Sequence, residues 1–256
     1  MNTHTKNRRG VLARLLLSAG RPDPLDTLEA RSMLSVNLVD DISDITVDRN
    51  HAPTIIELNN RYDDPAISGS VAKFESVLGD IYVVMNDQQT PLTVANFFRY
   101  ADADLWDDTI VHRSVPGFIV QGGGFGNAPA YTSVPQFAAV QNEPGISNLR
   151  GTIAMAKLGG NPNSATSQWF FNLANNSANL DHQNEGFTVF GRVAGDGMNI
   201  VDAMAAVPIW DASTLNGAFS DMPLRNFTDA GLPTSDNTVS FFDITRASDM
   251  IYTVSV

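Results

Sequence analysis

Residues 111–123 are the stretch that most constrains the fold, because a Pro-Gly pair in it separates Arg113 from an apolar run at residues 118–120. Pro116 and Gly117 favour a turn, so the chain is expected to double back there. This places Arg113 and Gln121 on neighbouring strands, where an amide can hold a guanidinium beside an apolar wall. An ordinary hairpin with an exposed arginine is the alternative that this stretch alone leaves open.

The run after the turn is predicted to be a strand with two different faces. Side chains alternate along a strand, so Phe118 and Val120 are expected on one face and Ile119 and Gln121 on the other. The glycines within residues 122–126 have neither the Gly-x-Gly-x-x-Gly spacing nor the Lys-Ser/Thr pair of a phosphate loop. We therefore interpret them as a turn where backbones approach closely.

Composition excludes several classes of function. The formal net charge is −12, which argues against nucleic acid as the main partner, because phosphates require a basic surface. The chain has no cysteine, so it holds no disulfide, thiolate nucleophile or cysteine-bound zinc. It also contains no run of eighteen apolar residues, so no transmembrane helix is expected.

The histidines do not suggest a hydrolase or a metal enzyme. The chain has His4, His51, His112 and His182, and these lack the close spacing of metal ligands. The Gly-x-Ser-x-Gly motif of serine hydrolases is absent. His112 precedes Arg113 and would point to the opposite strand face, so we interpret it as structural.

The chain divides into three segments. Residues 1–35 are basic at their start and are predicted to be a targeting or disordered segment. Residues 36–70 are predicted to form an acidic linker with a short strand at 54–58, and their aspartates leave calcium binding or a role in assembly open. The globular domain is predicted to occupy residues 71–256.

A short pattern near the start bears on localisation. Residues 28–35 read Leu-Glu-Ala-Arg-Ser-Met-Leu-Ser and resemble the Leu-Glu-Pro-Arg-x-Leu-Leu segment near the start of many large bacterial exported proteins. The resemblance implies an exported or cell-envelope protein. The apolar run at residues 15–17 is too short for a secretory signal, which leaves a cytoplasmic location as the alternative.

Short apolar runs separated by turns predict a sheet-dominated domain. Thr90 and Pro91 are expected to begin a helix as its N-cap and first residue, and residues 196–207 repeat apolar positions at helical spacing. Strands are expected at residues 71–77, 81–85, 151–156, 169–173, 187–193, 239–244 and 251–256. This order suggests a closed antiparallel barrel whose ends are capped by the two helices.

Five ordered blocks carry a resemblance to a known family. They are residues 94–100, 111–123, 151–156, 163–172 and 189–193. From about residue 71 onwards the chain resembles a cyclophilin, which is a peptidyl-prolyl cis-trans isomerase. The resemblance implies an all-β-dominated fold, with a closed eight-stranded antiparallel barrel capped by two α-helices, and an enzyme that assists protein folding.

The same resemblance implies the residues of the site. The catalytic positions of the family fall on Arg113 and Gln121. Its substrate-binding positions fall on Phe118, Ile119, Ala156, Lys157, Gln168, Phe170, Leu180 and Phe187. The implied substrates are proline-containing polypeptides, and the protein is expected to be a monomer.

Several of these positions depart from the family pattern. Ile119 replaces a methionine, and Phe187 replaces a histidine while keeping a flat ring. Lys157 replaces an asparagine whose backbone contacts substrate in eukaryotic members, so this side-chain change is expected to matter little. Asn179 stands where many members have tryptophan, which predicts weak binding of cyclosporin.

The expected chemistry requires no nucleophile, metal or cofactor. Amide resonance opposes rotation about the peptide bond with a barrier of roughly 18–20 kcal/mol. The twisted transition state has lost this resonance, so its prolyl nitrogen carries a lone pair that a fixed donor can bind. Arg113 is suited to be that donor, and Gln121 is predicted to orient it. A non-catalytic peptide-binding or chaperone-like module on the same fold is the alternative, which the presence of both residues disfavours.

Overall fold

The computed structural model describes residues 37–38, 62–63, 69–228 and 231–247. The predicted targeting segment and the strands predicted at 54–58 and 251–256 lie outside the described residues. Within the predicted linker, strands β1 (Asn37–Leu38) and β2 (Tyr62–Asp63) pair antiparallel.

The main sheet contains nine strands, all paired antiparallel. Eight of them are β3 (Val71–Ser76), β4 (Gly79–Met85), β5 (Thr109–Ile110), β6 (Arg113–Val115), β7 (Ile119–Gly122), β8 (Thr152–Met155), β9 (Trp169–Asn172) and β10 (Val189–Val193). Strands β11 (Ile209–Trp210) and β12 (Met222–Pro223) form a separate pair. The ninth strand of the main sheet is β13 (Ser240–Ala247).

The two ends of the main sheet belong to one short segment of the chain. The strand order is β5-β13-β3-β4-β10-β8-β9-β7-β6, and only Val111 and His112 separate β5 from β6. The Val111 N–H donates to the Val239 carbonyl (2.8 Å), and the His112 N–H donates to the Gln121 carbonyl (3.2 Å). The predicted sheet-dominated architecture is confirmed. The sheet has nine strands rather than eight because this segment divides into two, and closure of the barrel stays a prediction.

The described helices are few and short. They are α1 (Pro91–Ala101), α2 (Ser177–Leu180), the 3-10 turn Gln183–Glu185 and α3 (Gly197–Ala205). Helices α1 and α3 were both predicted from the sequence, within one residue or two of these bounds. Each contributes its apolar face to the core of the sheet, through Phe97 of α1 and Met204 of α3.

Helix α1 begins where the sequence predicts but is capped differently. The Thr90 hydroxyl does not cap the helix and instead donates to the Asn86 carbonyl (3.2 Å). The Glu143 carboxylate, far along the chain, accepts from the N–H groups of Leu92 (3.1 Å) and Thr93 (2.8 Å). An acidic group at a helix N-terminus satisfies free N–H groups and complements the helix dipole.

An aromatic cluster fills the inner side of the sheet. Phe74 of β3 makes edge-to-face contacts with Trp169 (5.2 Å), Phe171 (5.5 Å) and Phe241 (5.9 Å), measured between ring centroids. Phe97 from α1 packs at 5.7 Å from the same ring. Such pairs contribute about 0.5–1.5 kcal/mol each beyond the burial of apolar area. This aromatic cluster forms the main core on one face of the sheet.

Candidate active site

Arg113 and Gln121 face each other across two paired strands. Strand β6 pairs with β7 so that these two residues are direct partners, as the Pro-Gly turn predicts. Arg113 Nη1 donates to Gln121 Oε1 at 3.5 Å, and Gln121 Nε2 donates to Gln168 Oε1 at 2.8 Å. The Arg113 side chain is 35% exposed. The guanidinium therefore stands at one end of a row of polar side chains and remains open to a ligand.

The glycines after Gln121 allow close packing beside this row. A Cβ at Gly122 would lie 2.8 Å from the ring of Trp169, and one at Gly124 would lie 2.9 Å from the side chain of Gln168. At Gly123 the φ angle is +75° and a Cβ would lie 2.6 Å from the Ser167 carbonyl. The interpretation of this run as a place of close approach agrees with these distances.

The outer faces of neighbouring strands carry a second apolar cluster. Along β9, Trp169 and Phe171 point into the main core, whereas Phe170 points away from it. The outer cluster consists of Ile119, Ala154, Phe170, Leu180 and Val189, with Phe118, Ile146, Ala156 and Phe187 packed against it. The rings of Phe170 and Phe187 meet edge to face, with centroids 5.8 Å apart. The structure therefore brings together in this cluster six of the eight substrate-binding residues that the resemblance implies: Phe118, Ile119, Ala156, Phe170, Leu180 and Phe187.

Phe118 lies on a different side from the one that strand alternation predicts. Val120 is buried in the main core, but Phe118 packs beside Ile119 in the outer cluster. The reason is that β7 begins only at Ile119. Phe118 belongs to the turn, where its N–H donates to the Val115 carbonyl (2.9 Å), so the alternation of the strand does not apply to it.

A cavity of about 170 Å³ opens beside Gln121 and Gln168. Its other lining residues are Gln136, Ala156, Lys157, Leu158, Ser164 and Thr166. Four residues predicted from the sequence line this space: Gln121, Ala156, Lys157 and Gln168. The cavity and the outer apolar cluster share Ala156, so the polar row and the apolar cluster form one continuous surface.

The Lys157 side chain has a structural role that the sequence did not suggest. Its ammonium group donates to the carbonyl oxygens of Asn184 (2.7 Å) and Gly186 (2.6 Å), and lies 4.9 Å from the ring centroid of Phe187. Burial lowers the pKa of Lys157 below its ordinary value. The side chain thus stabilises the turn that leads into Phe187. These contacts argue against the expectation that the identity of the side chain at position 157 matters little.

Buried asparagines support the apolar cluster from behind. Asn176 Nδ2 donates to the carbonyl oxygen of Phe118 (2.9 Å) and to Asn172 Oδ1 (2.8 Å). Asn148 Nδ2 donates to the carbonyl oxygen of Phe187 (3.2 Å) and to Asp181 Oδ1 (2.9 Å). Two walls of the cluster are therefore fixed through their backbones.

Asp181 is the charged member of this network. Burial favours its neutral form, but hydrogen bonds donated by Asn148 and Ser147 outweigh burial and lower the pKa of Asp181 below its ordinary value. The residue follows Leu180 directly, so the ionised carboxylate anchors the end of α2. Asn179, on the same helix, is exposed. Weak binding of cyclosporin stays a prediction.

His112 is buried among aromatic rings. Its ring meets Phe125 edge to face at 5.0 Å, and its buried Nδ1 has no hydrogen-bond partner. Desolvation, followed by the charge of Arg113, lowers the pKa of His112 to about 4. The imidazole is therefore neutral at physiological pH, which agrees with its interpretation as a structural residue.

Asp221 is a neighbour of Arg113 that the sequence analysis missed. Its Oδ2 lies 3.4 Å from Arg113 Nε. The residue lies between the helix predicted at residues 196–207 and the strand predicted at 239–244, and no local sequence pattern signals the contact. Among the residues that the structure describes, no group of three or more His, Asp or Glu side chains is arranged to hold a metal ion.

The fold and the site define a sheet-dominated protein in which the guanidinium of Arg113 lies beside the outer apolar cluster. The family described as cyclophilin type peptidyl-prolyl cis-trans isomerase/CLD matches residues 71–221. The match spans more than half of the 256 residues, so the chain belongs to this family. The prediction of a cyclophilin-type isomerase is confirmed.

Three similar curated proteins are bacterial peptidyl-prolyl cis-trans isomerases. A peptidyl-prolyl cis-trans isomerase of Acinetobacter baylyi is 38% identical over 146 residues, covering 56% of this chain and 76% of the relative. Isomerase A of Dickeya dadantii is 40% identical over 131 residues, covering 50% and 67%. Isomerase B of Escherichia coli is 36% identical over 156 residues, covering 59% and 90%.

Solved structures of a Cryptosporidium parvum cyclophilin type peptidyl-prolyl cis-trans isomerase share the fold. One has a TM-score of 0.52 at 19% identity, covering 71% of this chain and 99% of the other. A second, determined in the presence of the dipeptide Ala-Pro, has a TM-score of 0.50 at 20% identity, covering 70% and 99%. At this identity the likeness establishes the fold alone. In the part of the chain that the structure describes, no helix has the length and apolar character needed to cross a membrane.

Proposed function

We propose that Arg113 is the catalytic donor of this isomerase and that Gln121 orients it. The observation that carries the proposal is the position of the guanidinium. Arg113 is the direct strand partner of Gln121, and directly opposed residues share one face of a sheet. Gln121 in turn shares a face with Ile119 of the outer apolar cluster. The half-exposed guanidinium therefore borders an apolar surface where a proline ring can lie.

The proposed mechanism is non-covalent. In the planar X-Pro bond the nitrogen lone pair takes part in amide resonance and is a poor acceptor. Twisting the bond releases that lone pair, so a donor fixed in position binds the twisted state better than the planar state. A guanidinium presents several N–H groups in a rigid fork, which suits this task. Arg113 thereby lowers the barrier without forming a bond to the substrate.

The substrate class is proline-containing polypeptide, and the outer apolar cluster is the proposed seat for the pyrrolidine ring. Ile119, Phe170 and Leu180 form its buried floor, and Phe118 and Phe187 are its half-exposed walls. Gln168, Ala156 and Lys157 line the adjoining cavity, where the peptide before the proline is proposed to lie. Rigid aromatic walls favour binding because few side-chain rotations are lost.

The test is the isomerase activity of the full chain with a prolyl tetrapeptide. Removing one preorganised donor typically costs about 2.7–4 kcal/mol of transition-state stabilisation, so Arg113→Ala should lower kcat/KM by about a hundredfold to a thousandfold. The matched control is Arg246→Ala, which removes an arginine paired with Asp102 instead. An Arg113→Ala enzyme as fast as the wild type would refute the assignment.

We further propose the division of the chain into a targeting segment (1–35), an acidic linker (36–70) and an isomerase domain (71–256). The pattern at residues 28–35 supports an exported or cell-envelope location. Fractionation of cells that produce the full chain, with and without replacement of Leu28 and Arg31, tests the location. A cytoplasmic wild-type protein would refute it. The proposed monomeric state is tested by sedimentation of the purified chain.

A further inference from the structure

The backbone of Asp221 is fixed by its neighbours in the chain, independently of any contact that its side chain makes. Phe219 and Met222 are fully buried in a cluster that also contains Ile110 of β5. The Asp221 carbonyl accepts a hydrogen bond of 2.8 Å from the N–H of Ser114, the residue after Arg113. The backbone of Asp221 is thus attached to the strand that carries the proposed donor.

The carboxylate of Asp221 reaches the side of the guanidinium that Gln121 does not occupy. Asp221 Oδ2 lies 3.4 Å from Arg113 Nε and accepts from the Ser220 hydroxyl at 3.0 Å. Gln121 Oε1 accepts from Arg113 Nη1 at 3.5 Å. Contacts at Nε and at Nη1 fix the rotation of the planar group from two sides.

We propose that Asp221 is a positioning residue for the isomerase reaction, which holds the Arg113 guanidinium in the orientation needed to donate to the prolyl nitrogen. The proposal rests on the proposed function of Arg113. The ion pair is 35% and 41% exposed at its two side chains. Exposed pairs contribute little to folding, so the effect of Asp221 is on catalysis rather than on stability.

The carboxylate also acts against the reaction through its charge, since it partly offsets the positive charge of the donor. Removing it therefore has two opposite effects, a stronger local positive potential and a looser guanidinium. A misplacement of about 1 Å at a catalytic group can lower the rate by about a hundredfold. The orientational effect is the larger of the two, and Asp221→Ala is expected to be slower than the wild type.

The experiment is a double-mutant cycle in the full chain, measured as kcat and KM with a prolyl tetrapeptide. Asp221→Ala should lower kcat by about threefold to tenfold and leave KM little changed. This range lies between the small effect of losing an exposed ion pair and the large effect of misplacing a catalytic group. Asp221→Asn keeps an oxygen beside Arg113 Nε and should retain more activity. In the Arg113→Ala background, Asp221→Ala should have no further effect. The matched control is Asp102→Ala, which breaks the Arg246 ion pair of 3.6 Å and should leave kcat unchanged.

The outcomes separate this inference from the proposed function. If Arg113→Ala is slow but Asp221→Ala matches the wild type, only the role of Asp221 is overturned. The role of Asp221 is also overturned if Asp221→Ala lowers kcat equally in the wild type and in the Arg113→Ala variant. The effect would then not depend on Arg113 and would come from a change in the fold. If Arg113→Ala itself is fully active, the proposed function fails first. Unfolding midpoints within error of the wild type show that the variants are folded.

Discussion

The ammonium group of Lys157 lies 2.6 Å from the carbonyl oxygen of Gly186, and it also binds the carbonyl oxygen of Asn184. Across this turn φ is positive at three successive residues, 52° at Asn184, 62° at Glu185 and 76° at Gly186. Residues with a Cβ rarely adopt this conformation, because the Cβ approaches the following carbonyl. Gly186 has no Cβ and asparagine tolerates this region, so the strain falls mainly on Glu185, and two hydrogen bonds from a charged group help to stabilise the turn.

Replacing Lys157 by methionine should loosen this turn and the ring of Phe187 that follows it. Methionine keeps most of the apolar stem, so the change removes mainly the ammonium group. We expect the free energy of unfolding to fall by about 1.5–3 kcal/mol, the usual contribution of hydrogen bonds to a charged group. We also expect KM for a prolyl peptide to rise several-fold, since Phe187 is a wall of the proposed seat. Urea unfolding and steady-state kinetics measure the two effects.

Lys73→Met is the matched control for this prediction. Lys73 pairs with Glu75 and Asp80 on the β3–β4 hairpin, so its loss should lower stability without changing KM. A KM for Lys157→Met equal to that of the wild type would show that the turn does not position Phe187.

Glu143 should account for the capping of α1. Its carboxylate accepts from two N–H groups and from the Thr93 hydroxyl (2.7 Å), so Glu143→Ala should lower the free energy of unfolding by about 0.5–2 kcal/mol. Hydrogen exchange should also become faster at the amides of Leu92 and Thr93. Thr90→Val is the comparison, because its hydroxyl binds Asn86 rather than the helix. Unchanged exchange at Leu92 and Thr93 would contradict the assignment of the cap.

The parts of the site that follow local rules could be read from the sequence. The Pro-Gly pair predicts the β6–β7 hairpin, and the observed register pairs Arg113 with Gln121. Turn chemistry and alternation act over a few residues, so one sequence is enough to apply them. Where the chain leaves the strand, as at Phe118, alternation gives the wrong face.

The parts of the site that depend on distant residues could not be read in this way. Glu143 lies 51 residues from Leu92, and Lys157 lies 29 residues from Gly186. Asp221 approaches Arg113 only because buried neighbours fix the loop that carries it. These contacts result from the packing of the whole domain, and hydrophobic periodicity contains no information on which polar groups then meet.

The buried His112 predicts a specific loss of stability in acid. Its pKa is lowered from 6.5 to about 4, chiefly by desolvation, so the folded state favours the neutral ring. The corresponding stability is fully present above pH 6.5 and is lost as the pH falls towards 4, by about 3 kcal/mol in total. His112→Phe should lack this loss when unfolding is measured across the same range. His182→Gln, at an exposed position, should retain it. If His112→Phe shows the full loss as well, other groups are responsible.

Two adjacent glycines should separate an effect on catalysis from an effect on folding. A Cβ at Gly124 would meet the end of the Gln168 side chain at 2.9 Å, and a flexible side chain can move away. Gly124→Ala should therefore fold but displace Gln168 from Gln121, which lowers kcat/KM several-fold. At Gly123 the Cβ would meet the Ser167 carbonyl at 2.6 Å, and φ is +75°. Because neither the carbonyl nor the backbone angle can adjust freely, Gly123→Ala should lower the free energy of unfolding by at least about 1 kcal/mol. Thermal unfolding and isomerase kinetics of both variants test these predictions. A Gly124→Ala enzyme with wild-type kcat/KM would mean that the hydrogen bond between Gln168 and Gln121 does not contribute to catalysis.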